Sequence, residues 1–323
     1  MYITSTGEFV IMKDITSSVY NFEDLIQGNF LYVDKTEYIW QLIRPAKEMY
    51  FLWRPRRFGK SLTHSTLKAV FEGKKELFKG LALYDKPYNW KKSPVIHLDM
   101  NRWYFSTLEK MEKRFQQMLL EQASLNNAEL QISSSDTMFH TLIKTLHDRD
   151  GDVVVLLDEY DKPILNFHLN ITPEKCSDFL NALEIFYSVI KEKADMLRLV
   201  FITGVIRFCH VSLFSDWNNL TDISMDARYA TMLGYTQDEL EENFGERLSA
   251  LAGQKEVEAY KRISALAGQK DVEAYKGKIN EWYNGCRFHK NAQTVYNPGS
   301  LAQFFEKAEN STTTGFQPGR PLF

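Results

Sequence analysis

Between the apolar run Glu48-Met49-Tyr50-Phe51-Leu52-Trp53 and a stretch in which Leu62, Thr63, Leu67, Val70 and Phe71 recur at helical spacing lies the segment Arg54-Pro55-Arg56-Arg57-Phe58-Gly59-Lys60-Ser61. Strand, tight loop, Lys-Ser and helix in that order constrain this chain more than any other feature, because that is how a phosphate-binding loop reads. The first backbone N–H groups of a helix are unpaired and sit at the positive end of its dipole, so phosphate oxygens fit there. Gly59 allows the backbone to come close, Lys60 reaches β- and γ-phosphates, and the Ser61 hydroxyl is a ligand for Mg²⁺. The full pattern G-x-x-x-x-G-K-[ST] asks for a glycine where Arg54 stands, so the pattern fails while its chemistry survives. Arg54, Arg56, Arg57 and Lys60 concentrate positive charge around the loop, and Gly73 stops the following helix.

A second apolar run, Asp152-Val153-Val154-Val155-Leu156-Leu157, leads directly into Asp158-Glu159-Tyr160-Asp161. A continuous apolar run ending in acids reads as a buried parallel strand whose carboxyl end reaches a site. In a nucleotide hydrolase Asp158 would hold the Mg²⁺ shell and Glu159 would activate the attacking water. A third run, Leu197-Arg198-Leu199-Val200-Phe201-Ile202-Thr203-Gly204, ends on the same edge, which makes Thr203 a candidate sensor of the γ-phosphate. A fourth apolar segment, Pro94 to Met100, and helical patterns near 105–125, 135–148 and 174–194 alternate with these strands. The expected class is therefore α/β, a P-loop NTPase with a central, mostly parallel sheet flanked by helices and a C-terminal helical region.

With 323 residues, 44% of them hydrophobic, the chain is long enough for one or two domains. Its net charge of −3 gives no push toward nucleic acid, so a nucleic-acid partner has only local basic patches behind it. Cys176, Cys209 and Cys286 lack C-x-x-C spacing and indicate neither a zinc site nor a disulfide framework, which fits a reducing cytoplasm. No apolar run approaches the ~20 residues that span a bilayer, and no membrane association is expected.

The expected organisation is an N-terminal segment over 1–45 packed on the core, a P-loop core over 46–235, a helical subdomain over 236–300 and a disordered polar tail over 301–323. Within the subdomain, residues 247–261 are repeated as 262–276 with only Leu248/Ile263 and Glu256/Asp271 differing. A 15-residue copy is too short and too recent in character for a solenoid repeat. It advances a helix by about 4.2 turns, and Gly253 and Gly268 are expected to break it into a hairpin or loop extension.

The chain resembles the bacterial AAA-ATPase-like proteins, which often join a P-loop ATPase domain to a C-terminal PD-(D/E)XK nuclease-like domain. The resemblance rests on Tyr32-Val33-Asp34-Lys35-Thr36, on Arg54 through Leu62 and on Leu157-Asp158-Glu159-Tyr160-Asp161-Lys162-Pro163. It continues through Phe201 to Gly204, Phe214 to Asp222, Gly234-Tyr235-Thr236, Trp282 to Phe288 and Val295 to Pro298. The family loop itself looks like Arg-Pro-Arg-Arg-Phe-Gly-Lys-Ser, so Arg54 is the family's variant. The resemblance implies an additional-strand P-loop fold in which ATP is held by Arg56, Arg57, Phe58, Gly59, Lys60, Ser61 and Leu62. It further implies Mg²⁺ at Ser61 and Asp158, with Lys60, Glu159 and Thr203 acting in catalysis. Asn218 and Asn219 match the family without a derivable role, and the nuclease-like half has no counterpart here.

An Mg²⁺-dependent ATPase coupled to a conformational change is the leading expectation. A nucleotide-binding switch or interaction module with little turnover, dependent on a partner or a further domain, is the alternative. Direct nuclease action finds Asp158, Glu159, Asp161 and Lys162 but lacks the separated acid and E-x-K strand that such a site uses. Self-association supplying an arginine finger is a further expectation, with Arg207, Arg228 and Arg287 as unranked candidates.

Overall fold

A computed structural model describes residues 2–3, 9–10, 13–101, 107–168, 173–206, 214, 217–259 and 284–310. In chain order the elements are β1 (Tyr2–Ile3), β2 (Phe9–Val10), α1 (Phe22–Gln27), α2 (Thr36–Ile43), β3 (Glu48–Trp53) and α3 (Lys60–Phe71). Next come β4 (Val95–Asp99), α4 (Leu108–Leu125), α5 (Ser135–Asp150), β5 (Val153–Asp158), α6 (Lys162–His168), α7 (Pro173–Glu192) and β6 (Leu197–Gly204). Last are β7 (Leu220–Asp222), α8 (Gln237–Ala259), β8 (Asn284–Cys286), β9 (Val295–Tyr296) and α9 (Pro298–Asn310). These elements fall into two compact units: one holds residues 36–56 and 60–224, the other 1–35, 57–59 and 225–323.

The larger unit is built on a five-stranded sheet of order β4-β5-β6-β3-β7 in which every pairing is parallel. β6 lies between the loop strand β3 and the acidic strand β5, the additional-strand arrangement that the resemblance implies. The strands read as unbroken apolar runs because both faces are covered. Alternation assigns the faces. Met49, Phe51, Ile96, Leu98, Val153, Val155, Leu157, Val200 and Ile202 join one core with Phe115 of α4, Phe139 of α5 and Phe186 of α7. Phe115 and Phe186 stack at 4.1 Å between ring centroids. The opposite set includes His97, Asp158, Phe201 and Thr203, and His64 of α3 lies over Phe201 at 5.1 Å and His97 at 5.6 Å. A parallel sheet with helices on both faces is therefore present.

In the smaller unit, Leu240, Phe244 and Leu248 form a one-in-four stripe along α8 and bury against Val33, Tyr296, Leu301, Phe304 and Phe305. Lys35 donates to Glu239 at 2.6 Å and to the Thr231 carbonyl at 2.9 Å, so the Asp34-Lys35 segment is fixed by charge as well as by Val33.

Three expectations change. The helix α8 runs through Gly253 to Ala259. A single glycine costs a helix only about 1 kcal/mol relative to alanine, and Leu251, Ala252, Gln254, Lys255 and Glu256 around it are strong helix formers. The second copy of the duplication lies outside the described residues. Residues 298–310, placed largely in the polar tail, form α9, where Leu301, Phe304 and Phe305 are buried at helical spacing. The N-terminal segment read as a single piece divides at Lys35/Thr36, with α2 belonging to the larger unit. Among the described residues no helix is long and apolar enough to cross a membrane.

Gly204 ends β6 against the ring of Tyr160, where an added Cβ would stand 2.4 Å from a ring carbon and 3.1 Å from the Asp161 carboxyl carbon. Gly204→Ala is therefore expected to lower stability by about 1–3 kcal/mol through overpacking, read as a lower urea midpoint at unchanged slope.

Candidate functional site

The candidate site grows from two register facts. β5 and β6 are neighbours with Leu157 opposite Ile202, and the next residue on each strand is Asp158 and Thr203. On α3, Ser61 and His64 are three residues apart and so share a helix face. The two pairs meet. Ser61 Oγ donates to Asp158 Oδ2 at 2.6 Å, Thr203 Oγ1 donates to Asp158 Oδ1 at 2.5 Å, and His64 Nε2 lies 2.8 Å from Thr203 Oγ1.

The loop that leads into α3 is held by its own backbone and by a buried cation. Arg54, where a glycine is usual, is fully buried and donates to the carbonyls of Trp53 at 2.9 Å and Ser224 at 2.7 Å. Ser224 Oγ in turn accepts from the Trp53 N–H, which ties the end of β3 to the turn after β7. Lys60 is buried, and its ammonium donates to the carbonyls of Arg54 and Pro55, both at 3.1 Å. Gly59 has φ +90°, the left-handed region where a side chain is strained, which is why this position is glycine. In the smaller unit, Arg57 at φ +65° accepts the Gly299 N–H through its carbonyl and donates to Gln303, while Phe58 meets Phe288 edge-on at 5.6 Å.

The turn after β5 is pinned just as firmly. Glu159 has φ +52°, a conformation that costs a non-glycine residue on the order of 1 kcal/mol or more. It is held there by Tyr160 N–H donating to the Thr203 carbonyl and by Lys162 N–H donating to the Glu159 carbonyl. Asp161 accepts the N–H groups of Val205 and Ile206 at 2.8 and 2.7 Å, and the Tyr160 hydroxyl donates to the Ile206 carbonyl. Glu159 Oε2 is buried with no hydrogen-bond partner among the described residues, and Lys162 Nζ is 3.9 Å away.

Burial dominates the electrostatics. It lowers the Lys60 ammonium below its ordinary value against the pull of Glu159, Asp158 and Asp161, and it raises Glu159 and Asp161 above theirs. Burial also opposes ionisation of Asp158, but the His64 ring, the Ser61 and Thr203 hydroxyls and Lys60 outweigh it and the carboxyl sits below its ordinary value. His64, enclosed completely, is pushed down to about 3 and is neutral at pH 7, so its 3.7 Å approach to Asp158 is no ion pair.

The structure thus brings Lys60, Ser61, Asp158, Glu159 and Thr203 to one end of the sheet. Arg56 is exposed and Leu62 is half-buried, its carbonyl accepting from the Ser65 and Thr66 hydroxyls. Arg57 is engaged with Gln303, Arg228 with Asp226, Arg287 is exposed, and Arg207 lies outside the described residues. Reading the sequence missed His64 and the clamping role of Asp161. A histidine three residues beyond Ser61, and so on the same helix face, was the available signal for the first.

The family described as "Predicted AAA-ATPase" matches residues 17–214, and the chain belongs to that family. A curated relative, an "Uncharacterized protein in vnfD 5'region" of Azotobacter chroococcum mcd 1, is 34% identical over 319 residues, covering 96% of this chain and 55% of its own length. The chain therefore spans about half the length of that relative. Among solved structures, Cdc6p from Pyrobaculum aerophilum is similar at TM-score 0.33 and 16% identity, over 70% of this chain and 48% of its own. The Aeropyrum pernix ORC1 protein, solved in complex with DNA, is similar at TM-score 0.36 and 12% identity, over 83% and 63%. C. elegans PCH-2 is similar at TM-score 0.33 and 13% identity, over 90% and 63%. The parallel sheet, the Lys-Ser loop and the family together define a protein of the P-loop class.

The buried neutral His64 makes a signed prediction. Its unfolded pKa is 6.5 and its folded value about 3, so below pH 6.5 the unfolded chain takes up a proton that the folded one refuses. The contribution is present in full above pH 6.5 and is lost as pH falls toward 3, amounting to about 2 kcal/mol between pH 7 and pH 5. Urea unfolding at the two pH values is expected to show a steeper loss in the wild type than in His64→Leu by that amount.

Proposed function

We propose that this chain binds ATP with Mg²⁺ at residues 56–62 and hydrolyses it, and that hydrolysis is coupled to a conformational change. The observation that carries this reading is the 2.6 Å hydrogen bond from Ser61 to Asp158, because it places the loop hydroxyl and the strand-end carboxylate on one spot. Two hard oxygen donors so placed fit Mg²⁺, which takes one or two protein oxygens and fills its octahedron with phosphate and water. Bound there, Mg²⁺ would neutralise the charge that develops on the phosphates.

The remaining roles follow from the chain's own groups. Lys60 supplies a cation beside the phosphates, already buried and held by two loop carbonyls. Glu159 orients and deprotonates the water: burial raises its carboxyl toward neutral pH, the direction a general base requires. The left-handed backbone at Glu159 and its clamped neighbours hold that carboxylate without relying on side-chain partners. The choice of ATP over other triphosphates rests on the family. A second copy of the chain supplying an arginine completes the proposal, and Arg287, exposed, is the candidate that the described contacts leave accessible.

Binding of a fluorescent ATP analogue and phosphate release test the reading on the wild type, Lys60→Ala and Glu159→Gln. Expected are turnover by the wild type, loss of binding in Lys60→Ala, and binding without turnover in Glu159→Gln, with hydrolysis down by about 100-fold or more. Wild-type protein that binds but releases no phosphate at high concentration would favour the switch, and wild type that binds nothing would end the nucleotide reading.

A further inference from the structure

We propose that His64 is a positioning residue that commits the one proton of Thr203 to Asp158, so that Thr203 acts on the metal-holding acid and not on the γ-phosphate. The inference rests on the nucleotide reading above and revises the sensor role that Thr203's place at a strand end suggests.

A threonine hydroxyl has one proton to donate and two lone pairs. Asp158 Oδ1, which in the ionised carboxylate can only accept, stands 2.5 Å from Thr203 Oγ1, a separation that needs a proton between the two oxygens. His64 Nε2 is 2.8 Å from the same hydroxyl. If Nε2 carried no proton, it would compete with Asp158 for the Thr203 proton, and Nδ1–H would be a buried donor with no partner among the described residues. The Nε2–H tautomer satisfies every donor and leaves only the Nδ1 lone pair without a partner among the described residues: His64 donates to Thr203, Thr203 donates to Asp158 Oδ1, and Ser61 donates to Oδ2. Thr203 and His64 are both fully buried, and the stacked His97 ring and Phe201 close the space around the imidazole. A phosphate oxygen only accepts, so a threonine whose proton is already given has nothing to offer it. What the chain His64–Thr203–Asp158 does fix is the rotation of the carboxylate, and with it the direction of Oδ2 toward Ser61.

Two measurements test this. A long-range ¹H–¹⁵N spectrum of the full chain labelled at histidine, with His64→Gln as the assignment control, is expected to show His64 as the neutral Nε2–H tautomer. An Nδ1–H pattern would overturn the proposal, and this readout needs neither nucleotide nor metal. The second measurement is the Mg²⁺ concentration for half-maximal binding of a non-hydrolysable ATP analogue. Thr203→Val and His64→Leu are each expected to raise it by about 10–100-fold, without changing binding of the analogue in EDTA. The double variant should be no worse than Thr203→Val, and His64→Gln, which keeps an N–H at similar reach, should recover most of the loss. Thr203→Val that leaves the Mg²⁺ requirement unchanged but removes the preference for tri- over diphosphate would overturn the proposal. Wild type lacking any Mg²⁺-dependent binding would count against the nucleotide reading itself, and the tautomer would then decide the relay alone.

Discussion

The carboxylate of Asp158 is the point on which the site depends. Its two oxygens take protons from two different elements, Ser61 at the start of α3 and Thr203 at the end of β6, and so join the loop helix to the two central strands. The arrangement is possible because period-2 alternation puts Asp158 and Thr203 on the sheet face that α3 covers, and helical spacing turns Ser61 and His64 down onto it. A buried carboxylate without such donors would be costly, and each of these hydroxyls would be stranded without the carboxylate. Removing the carboxylate would strand the buried Thr203 hydroxyl, and removing either hydroxyl would take a donor from one carboxylate oxygen, which is how a small polar cluster fixes one geometry in an apolar core.

Immediately after it the chain turns through a left-handed residue. Left-handed Glu159, the Asp161 carboxylate on two consecutive N–H groups and the Tyr160 hydroxyl on Ile206 fasten the turn after β5 to the turn after β6. Gly204 is what lets Tyr160 lie so close. The backbone strain at Glu159 is therefore held by contacts on both sides, and it lies at the residue proposed to activate the water. On the opposite flank the buried Arg54 guanidinium does comparable work for the loop strand, taking the carbonyl of Ser224 where a glycine would leave space.

The sheet was legible because buried parallel strands are unbroken apolar runs: β3 and β6 lie where Glu48–Trp53 and Leu197–Gly204 point. The Lys-Ser loop and the acids after β5 were legible because their chemistry depends on local order. The three-residue edge strand β7 carries too few residues for any pattern, and only its pairing with Met49, Tyr50 and Phe51 reveals it. α9 was hidden by averaging, since Leu301, Phe304 and Phe305 sit among polar neighbours and next to a Gly/Pro-containing end. His64 was hidden for a different reason: a lone buried histidine on a helix announces nothing until Thr203, 139 residues away, is placed beside it. The assignment of residues 57–59 to the smaller unit is likewise a property of contacts and not of chain order.

The most direct test of the account is a crystal structure of the full chain with Mg²⁺ and a non-hydrolysable ATP analogue. The triphosphate is expected to be wrapped by residues 56–62, with a metal within about 2.1 Å of Ser61 Oγ and Asp158 in its immediate surroundings. A triphosphate bound elsewhere, or one at the loop whose metal is remote from both Ser61 and Asp158, would contradict it.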